Sequence, residues 1–354
     1  MPRPRRDPRR PQPGRRVTST TTPSADATET HALPIASPTR RGVRALHVAI
    51  ALLLGAAAAW SLYREIARHP MSELVDALRA LPSTRLIAGI GLTIASYVVL
   101  TAYDLLALRW LGVPLSYRKT ALASFLGYVF SHNVGLSVVG ASAARYRIYG
   151  SFGLGADKVF RIVAFCAATF WLGLLCLAGL MLVVLPEAIE GGFALGRGGA
   201  RFAGGGMLAC AVAYVVACRL RRRPVRWHKV EFKLPTPRLA LLQVAISVAD
   251  WLLAASVVYA LLPPHEGFSF ARLVGVYAAS QVIACASHVP GGLGVFEACV
   301  LWFLDDPASA PATLAALAVY RGLYYLAPLA LGSLLLGGFE FGRRVESARE
   351  RSAG

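Results

Sequence analysis

Long apolar segments separated by short polar ones occupy most of the chain beyond residue 43. A helix needs about 20 mostly apolar residues to cross the hydrocarbon core of a bilayer. The apolar segments are 44–63, 86–108, 119–132, 157–185, 203–220, 239–262, 272–287 and 312–338. The pattern predicts an all-α fold: a polytopic integral membrane helical bundle with about seven full spans and two re-entrant broken-helix hairpins.

The two predicted hairpins come from segments 134–150 and 289–304, which are short and interrupted by glycine. Backbone N–H and C=O groups need partners in hydrocarbon, so a broken helix is tolerated only inside protein or beside a wet cavity. The residues predicted to break the helices are Gly135, Pro290, Gly291, Gly292 and Gly294. Whether each segment is re-entrant or completes a double crossing stays open at this point.

The domain organisation follows from the same pattern. Residues 1–43 are rich in Arg, Pro, Thr and Ser and cannot bury enough apolar surface to fold, so we expect a disordered cytoplasmic tail. Residues 44–340 form the predicted transmembrane domain, and 341–354 a second cytoplasmic tail. Segment 44–63 is either a retained helix or a cleaved signal peptide, and the long tail before it favours retention.

Composition and charge exclude two classes of protein. A chain with 56% hydrophobic residues and a mean hydropathy of +0.53 is not a typical soluble domain. Its net charge of +18 lies in the tails and in the loop at 219–238. Such basic flanks follow the positive-inside rule and argue against a nucleic-acid partner. The same rule predicts that this loop and both termini are cytoplasmic, and that loops 186–200 and 263–271 are external.

Two similar motifs, at 131–135 and 287–291, each end an apolar segment and lead through a charged residue into a long helix. Loop charge gives the two halves, about 86–185 and 239–338, opposite topology. This predicts an inverted repeat, an architecture in which many transporters place the substrate between two helix breaks. Chance similarity between glycine-rich segments is the alternative.

Three charged residues inside apolar segments are candidate substrate contacts. Arg145 either binds a lipid phosphate or extends to the interface, where headgroups solvate it. Glu297 follows the second break by one turn. Because a lone charge in hydrocarbon is costly, it must be protonated, paired with a cation or in contact with water. Arg321 is its most obvious partner, with Arg145 as the other. The pair is either a structural salt bridge or part of a proton or headgroup-amine site.

Other polar residues complete the candidate site. His132 and His288 occupy matched positions in the two motifs, and capping of the broken helices is favoured over a metal pair. Asn133 stands beside the first break. Asp250 is deep in its segment and well placed for function, whereas Asp104 is expected at the solvated cytoplasmic end. No motif of a soluble-type catalytic site is present, the six cysteines form no CxxC pair, and we expect no metal, cofactor or catalytic residue.

The string Pro-Gly-Gly-Leu-Gly-Val-Phe-Glu at 290–297 resembles the most recognisable motif of the lysylphosphatidylglycerol synthase transmembrane-region family. Segment 320–328 resembles the family's Arg-containing last helix, and 133–145 its earlier Asn/Gly-to-Arg stretch. The resemblance implies a relative of the flippase domain of bacterial multiple peptide resistance factors. Those proteins add an aminoacyl-transferase domain, which we do not expect in this chain.

The resemblance implies an inner (plasma) membrane protein that flips or otherwise handles a phospholipid or polyprenyl-type lipid between leaflets. An intramembrane lipid-modifying enzyme and a non-transporting partner of a separate lipid synthase are the alternatives, and a transporter is favoured over an enzyme. The expected partners are membrane lipids with an anionic or polyprenyl-linked headgroup. A homo-oligomer or a lipid-synthase partner stays open.

Overall fold

The computed structural model describes residues 60, 71–133, 137–189, 196–221, 225–227, 230–263, 269–304 and 310–353. Side chains are not described at 74, 137–142, 225–227, 230–232, 290, 340 and 342–353. The predicted tail 1–43, all of segment 44–63 except Trp60, and Gly135 therefore lie outside the described residues, and the predictions about them stay predictions.

The described residues are almost entirely helical, which confirms the predicted fold class. The helices are α1 (Met71–Arg79), α2 (Ser83–Leu111), α3 (Tyr117–Asn133), α4 (Ser137–Ser151), α5 (Ala156–Val184), α6 (Gly196–Leu220), α7 (Pro237–Leu261), α8 (Phe270–Ser287), α9 (Val295–Leu304), α10 (Ala310–Arg321) and α11 (Ala327–Ala353). Single 3₁₀ turns lie at Pro186–Ile189 and Pro290–Gly292. In the basic loop, β1 (Val225–Trp227) and β2 (Val230–Phe232) pair as a short antiparallel hairpin.

Six helices among the described residues are long and apolar enough to cross a membrane. They are α2, α5, α6, α7, α8 and the continuous Ala310–Phe339 stretch of α10 and α11. In the second predicted hairpin the two arms are unequal, because the 18 residues of α8 extend about 27 Å and the 10 residues of α9 about 15 Å. The total of seven spans and the re-entrant path stay predictions.

Helix α2 shows how the bundle separates lipid from core. Its outer side chains Ile87, Ile90, Ile94 and Val98 recur at helical spacing and are exposed. A continuous apolar face of this kind is stable when lipid covers it. The opposite face of α2 is buried and includes Thr93, Ser96, Tyr97 and Leu100, and it packs along α7.

The core consists of two clusters of buried apolar side chains. The members of one cluster come from the sequence range 97–166, and those of the other from the range 174–324. The order of helix, helical hairpin and helix occurs in both parts, as α2 to α5 and as α7 to α10. This order is the one that the two halves were predicted to have, while their inverted relationship stays a prediction.

The second helix break is where the sequence predicted it. Helix α8 ends at Ser287 and is followed by the cap residue His288, whose φ of +56° is left-handed, and α9 begins at Val295. Between them Gly291, Gly292 and Gly294 all have positive φ. A Cβ on Gly292 would lie 2.8 Å from the Cβ of Ala284, so this glycine is required both by conformation and by close packing.

Candidate functional site

The second break is held by Glu297 of α9 and Arg321 of α10. The Nε of Arg321 donates to Oε1 of Glu297 at 2.6 Å. Its two terminal nitrogens donate to the main-chain oxygens of Gly291 and Gly292. The other carboxylate oxygen accepts the N–H of Gly294 at 2.8 Å. The structure therefore pairs Glu297 with Arg321, the partner that the sequence favoured, and not with Arg145.

This ion pair supplies partners for the backbone of the break. The carbonyls of Gly291 and Gly292 and the N–H of Gly294 belong to a turn between helices, where the regular helical ladder is absent. In hydrocarbon such groups are costly unless another donor or acceptor reaches them. Arg321 and Glu297 reach them and neutralise each other at the same time. Both side chains keep some exposure, 11% and 9%.

Arg145 of α4 pairs with Asp104 of α2, a partner that the sequence analysis missed. Its Nε and Nη2 donate to the two carboxylate oxygens at 3.0 and 2.9 Å, a bidentate geometry. The two side chains are only 2% and 0% exposed. The expectation that Asp104 is a solvated interface residue is therefore wrong. Arg145 is buried as well and does not extend to the interface.

The Asp104–Arg145 pair is closed in by its neighbours. Tyr149 donates to Oδ1 of Asp104 at 2.9 Å, and the guanidinium carbon lies 4.5 Å from the ring centroid of Tyr128. Gly127 of α3 makes room for the arginine, because a Cβ there would lie 2.8 Å from Cζ of Arg145. With hydrogen bonds to Asp104, the Tyr128 ring beside it and 2% exposure, this guanidinium is enclosed by the described residues.

The end of α3 lies against the turn of the second break. A Cβ on Gly291 would come within 3.1 Å of the main-chain oxygen of His132. The amide of Asn133 donates to the main-chain oxygens of Val129 at 2.8 Å and of Tyr325 at 3.4 Å. The two motifs that the sequence analysis aligned therefore meet in the structure. We call this meeting point, formed by His132, Asn133, Gly291, Glu297 and Arg321, the break junction.

The two matched histidines have different surroundings. The His132 ring lies about 6 Å from the ring centroids of four tyrosines, namely Tyr97, Tyr128, Tyr324 and Tyr325. Its Nδ1 is buried without a hydrogen-bond partner. His288 is exposed, and its Nδ1 lies 2.8 Å from the oxygen of Ala286. A capping role fits His288 alone, and no metal-holding group of three His, Cys, Asp or Glu occurs within the described ranges.

Asp250 lies in the middle of α7, buried against α2. Ser96 donates to its Oδ1 and Tyr103 to its Oδ2, each at 3.0 Å. Ser96 also shares a hydrogen bond of 2.8 Å with Tyr324. The structure thus connects Asp250 to the break junction through Tyr324, rather than placing it beside Glu297 and Arg321.

Tyr324 belongs to a wider helical turn that the sequence analysis did not predict. Residues Gly322–Leu326 form a π turn between α10 and α11, directly after Arg321. Such turns widen a helix locally and frequently mark functional sites. The available signal was a row of tyrosines in the middle of apolar segments, away from the interface where tyrosine is usually enriched. Tyr97, Tyr103, Tyr320, Tyr324 and Tyr325 belong to this group.

Comparison with known proteins gives consistent relatives. An uncharacterized protein of Synechocystis sp., slr0712, is 34% identical over 288 residues, which are 81% of this chain and 89% of that protein. The inner membrane protein YbhN of Escherichia coli is 31% identical over 262 residues, 73% of this chain and 81% of YbhN. A phosphatidylglycerol lysyltransferase of Staphylococcus haemolyticus is 22% identical over 87% of this chain, but only 35% of the enzyme is covered.

The family model described as the lysylphosphatidylglycerol synthase TM region matches residues 48–332. This range includes every residue of the break junction and both buried ion pairs. It agrees with the six helices that are long and apolar enough to cross a membrane. The protein is a multi-pass membrane protein, and it belongs to the lysylphosphatidylglycerol synthase TM region family.

Proposed function

We propose that this protein moves the polar headgroup of a phospholipid or polyprenyl-type lipid between the two leaflets of the bacterial inner membrane. The lipid tails would stay in the hydrocarbon beside the bundle while the headgroup passes the break junction. The observation that carries the proposal is the contact between the end of α3 and the second helix break, beside a Glu297–Arg321 pair that is still 9–11% exposed. Interrupted helices at membrane depth form the substrate sites of many transporters.

The chemistry of Arg321 fits an anionic headgroup. A guanidinium binds phosphate with the same two-pronged geometry that it uses for a carboxylate. A headgroup phosphate can therefore take the place of the Glu297 carboxylate without leaving the arginine unpaired. Glu297, once released, can accept a hydrogen bond from a headgroup amine or hydroxyl. The partial exposure of the pair supports this exchange, and the sealed Asp104–Arg145 pair serves better as a fixed clamp.

The orientation we propose follows from loop charge. The loop at 219–238 and the C-terminal tail are basic, whereas the loops at 186–200 and 263–271 carry little positive charge. Both termini are then cytoplasmic. The location in the inner membrane is supported by YbhN, which is named an inner membrane protein of Escherichia coli. The orientation is tested by labelling single cysteines with a membrane-impermeant reagent, first on intact and then on permeabilised cells.

The experiment that tests transport uses proteoliposomes with headgroup-labelled lipids. The purified protein is reconstituted, and a membrane-impermeant quencher reports how fast the label moves from the inner to the outer leaflet. We expect faster exchange with the protein than in empty vesicles for lipids with a phosphate headgroup. Arg321→Gln is expected to reduce the rate at least tenfold, because the phosphate loses its guanidinium.

Arg161→Gln is the matched control, since Arg161 pairs with the exposed Asp157 in the first turns of α5. It removes an arginine that is not part of the break junction and should leave the rate unchanged. Equal rates in protein-containing and empty vesicles, for all phosphate lipids tried, would contradict the proposal. New lipid species that require Glu297 would instead identify an intramembrane enzyme.

A further inference from the structure

Three carboxylates are buried in the described part of the bundle, and one of them differs from the other two. Asp104 and Glu297 each face an arginine. Asp250 is 5% exposed and is hydrogen-bonded by hydroxyl groups alone. No arginine, lysine or histidine among the described residues forms an ion pair with it. The mechanism proposed for the break junction leaves this buried acid without a role.

Among the described residues, the polar groups seen to interact with Asp250 are tyrosine and serine hydroxyls from more than one packed element. Ser96 and Tyr103 come from α2 and contact the carboxylate directly. The tyrosines that interact with it electrostatically include Tyr97, Tyr103, Tyr277 and Tyr324. Asp104, next to Tyr103 in the chain, has its charge compensated by Arg145.

An ionised carboxylate in this position is costly, because hydrocarbon and protein surround it and no cation compensates it. Two hydroxyl donors recover only part of its lost hydration. Protonation removes the charge, and a protonated acid still has a donor and acceptors for the same hydroxyls. Intramembrane acids with this environment are typical of proton relays.

The hydrogen bonds around Asp250 form a directed chain. A serine hydroxyl carries one proton, and Ser96 uses it on Oδ1 of Asp250. The 2.8 Å bond between Ser96 and Tyr324 therefore has Tyr324 as its donor. When Asp250 gains a proton on Oδ1, the new O–H donates to Ser96 and the serine turns toward Tyr324. The tyrosine keeps its own proton but loses its acceptor.

We infer that Asp250 is a proton-binding site, and that Ser96 and Tyr324 transmit its protonation to the break junction. Tyr324 lies in the π turn directly after Arg321, and its ring stacks on that of His132 at 6.0 Å. A change in its hydrogen bonding therefore acts on Arg321 and His132, two residues of the break junction. The inference goes beyond the proposed lipid movement, because proton binding at Asp250 does not depend on which headgroup crosses the membrane.

The geometry favours a proton over a metal ion as the ligand. Each oxygen of Asp250 is already in direct hydrogen-bond contact with a hydroxyl oxygen at 3.0 Å. A sodium ion would need several oxygen ligands arranged around an open centre. Within the described residues, no main-chain oxygen is seen hydrogen-bonded to the side chains of Asp250, Ser96 or Tyr103. The main-chain oxygen of Tyr324 accepts from Tyr97 instead.

The test is pH-induced infrared difference spectroscopy on the full-length protein in lipid nanodiscs, without added substrate. A titrating buried acid gives a carbonyl band of the protonated carboxyl that shifts in D₂O. We expect this band in the natural protein, and we expect Asp250→Asn to abolish it. Asp157→Asn is the matched control, because it makes the same change at an exposed acid outside the break junction, and it should keep the band.

Ser96→Ala guards against a variant that merely fails to fold. It keeps the acid but removes one donor, so the band should remain and shift in frequency, and Tyr324→Phe should shift it by a smaller amount. A band that persists in Asp250→Asn overturns the inference. So does a band that follows sodium concentration at constant pH, since that outcome identifies a cation site. Because no lipid is transported in this measurement, its result is independent of the flipping assay.

Discussion

The two buried ion pairs of this bundle use the same chemistry in different ways. Asp104 and Arg145 join two helices through a bidentate contact and are almost completely sealed. Glu297 and Arg321 share a single nitrogen–oxygen contact, and their remaining groups bind the backbone of a broken helix. The first pair therefore holds two helices together, whereas the second supplies partners to an interrupted backbone and keeps slightly more exposure.

The difference shows why the burial of a charge does not by itself distinguish a fixed contact between helices from a candidate ligand site. The more deeply buried pair has every partner it needs, and opening it would expose two charges to hydrocarbon. The less buried pair can exchange one partner for another at lower cost, because water or a headgroup can replace what is lost. The substitutions below remove or crowd one member of an ion pair, and they are given in order of decreasing effect on the free energy of unfolding.

Arg145→Gln should have the largest effect, because it leaves the buried Asp104 without a cation. The expected loss is about 3–5 kcal/mol in the free energy of unfolding. Thermal unfolding in detergent, followed by size-exclusion chromatography, measures it. The double variant Asp104→Asn with Arg145→Gln should recover more than half of the loss. A single variant as stable as the natural protein would show that the pair does not clamp the helices.

Glu297→Gln should cost about 2–3 kcal/mol, less than the first change, because Arg321 keeps two main-chain acceptors and some solvent. Its effect on lipid exchange should exceed its effect on stability, with at least a tenfold loss of rate at a temperature where the variant is fully folded. Parallel losses of stability and rate would mean that Glu297 acts only in the fold.

Gly127→Ala tests the packing of the clamp. The new methyl group would meet Cζ and Cγ of Arg145 at 2.8 and 2.9 Å. Because Arg145 is held by Asp104 and enclosed by its neighbours, relieving this contact requires a local shift, and we expect a loss of about 1–2 kcal/mol, within the range for overpacking. Gly150→Ala is the matched control, since its Cβ would meet nothing within 4 Å. Equal behaviour of the two variants would argue against a tight arginine pocket.

Arg161→Gln should have the smallest effect on stability. Its partner Asp157 is 68% exposed, and the two residues form an i, i+4 pair at the start of α5. Exposed helical pairs of this kind contribute about 0.3–0.5 kcal/mol. The same thermal measurement applies, and high salt should remove the difference. A loss as large as that of Arg145→Gln would mean that burial does not set the strength of these pairs.

The sequence predicted the second break well because its signals are local. Three glycines and a proline stand within five residues, and the acid that needs a partner follows at once. Arg321 is the nearest later cation inside an apolar segment, so the pairing with Glu297 could be inferred. Hydropathy and the 20-residue length of a span predicted most helices for the same reason.

The Asp104–Arg145 pair and the tyrosines around His132 could not be inferred in this way. Asp104 and Arg145 lie on helices that are not adjacent in the chain, and their contact depends on how the α3–α4 hairpin packs on α2. Hydropathy placed Asp104 near the end of a helix, where an acid that is exposed to water needs no buried partner. The matched histidines differ because tertiary packing surrounds only His132 with tyrosines. Similar sequence motifs did not ensure similar environments.

The most direct test of the account is photocrosslinking with a phosphate lipid that carries a photoreactive group on its headgroup. The natural full-length protein is irradiated in vesicles, digested, and its lipid adducts are mapped by mass spectrometry. The account predicts adducts at the break junction, above all around Leu293, which is 59% exposed within the second break. Adducts confined to the helix ends and the outer face of α2, with none between 288 and 297, would contradict it.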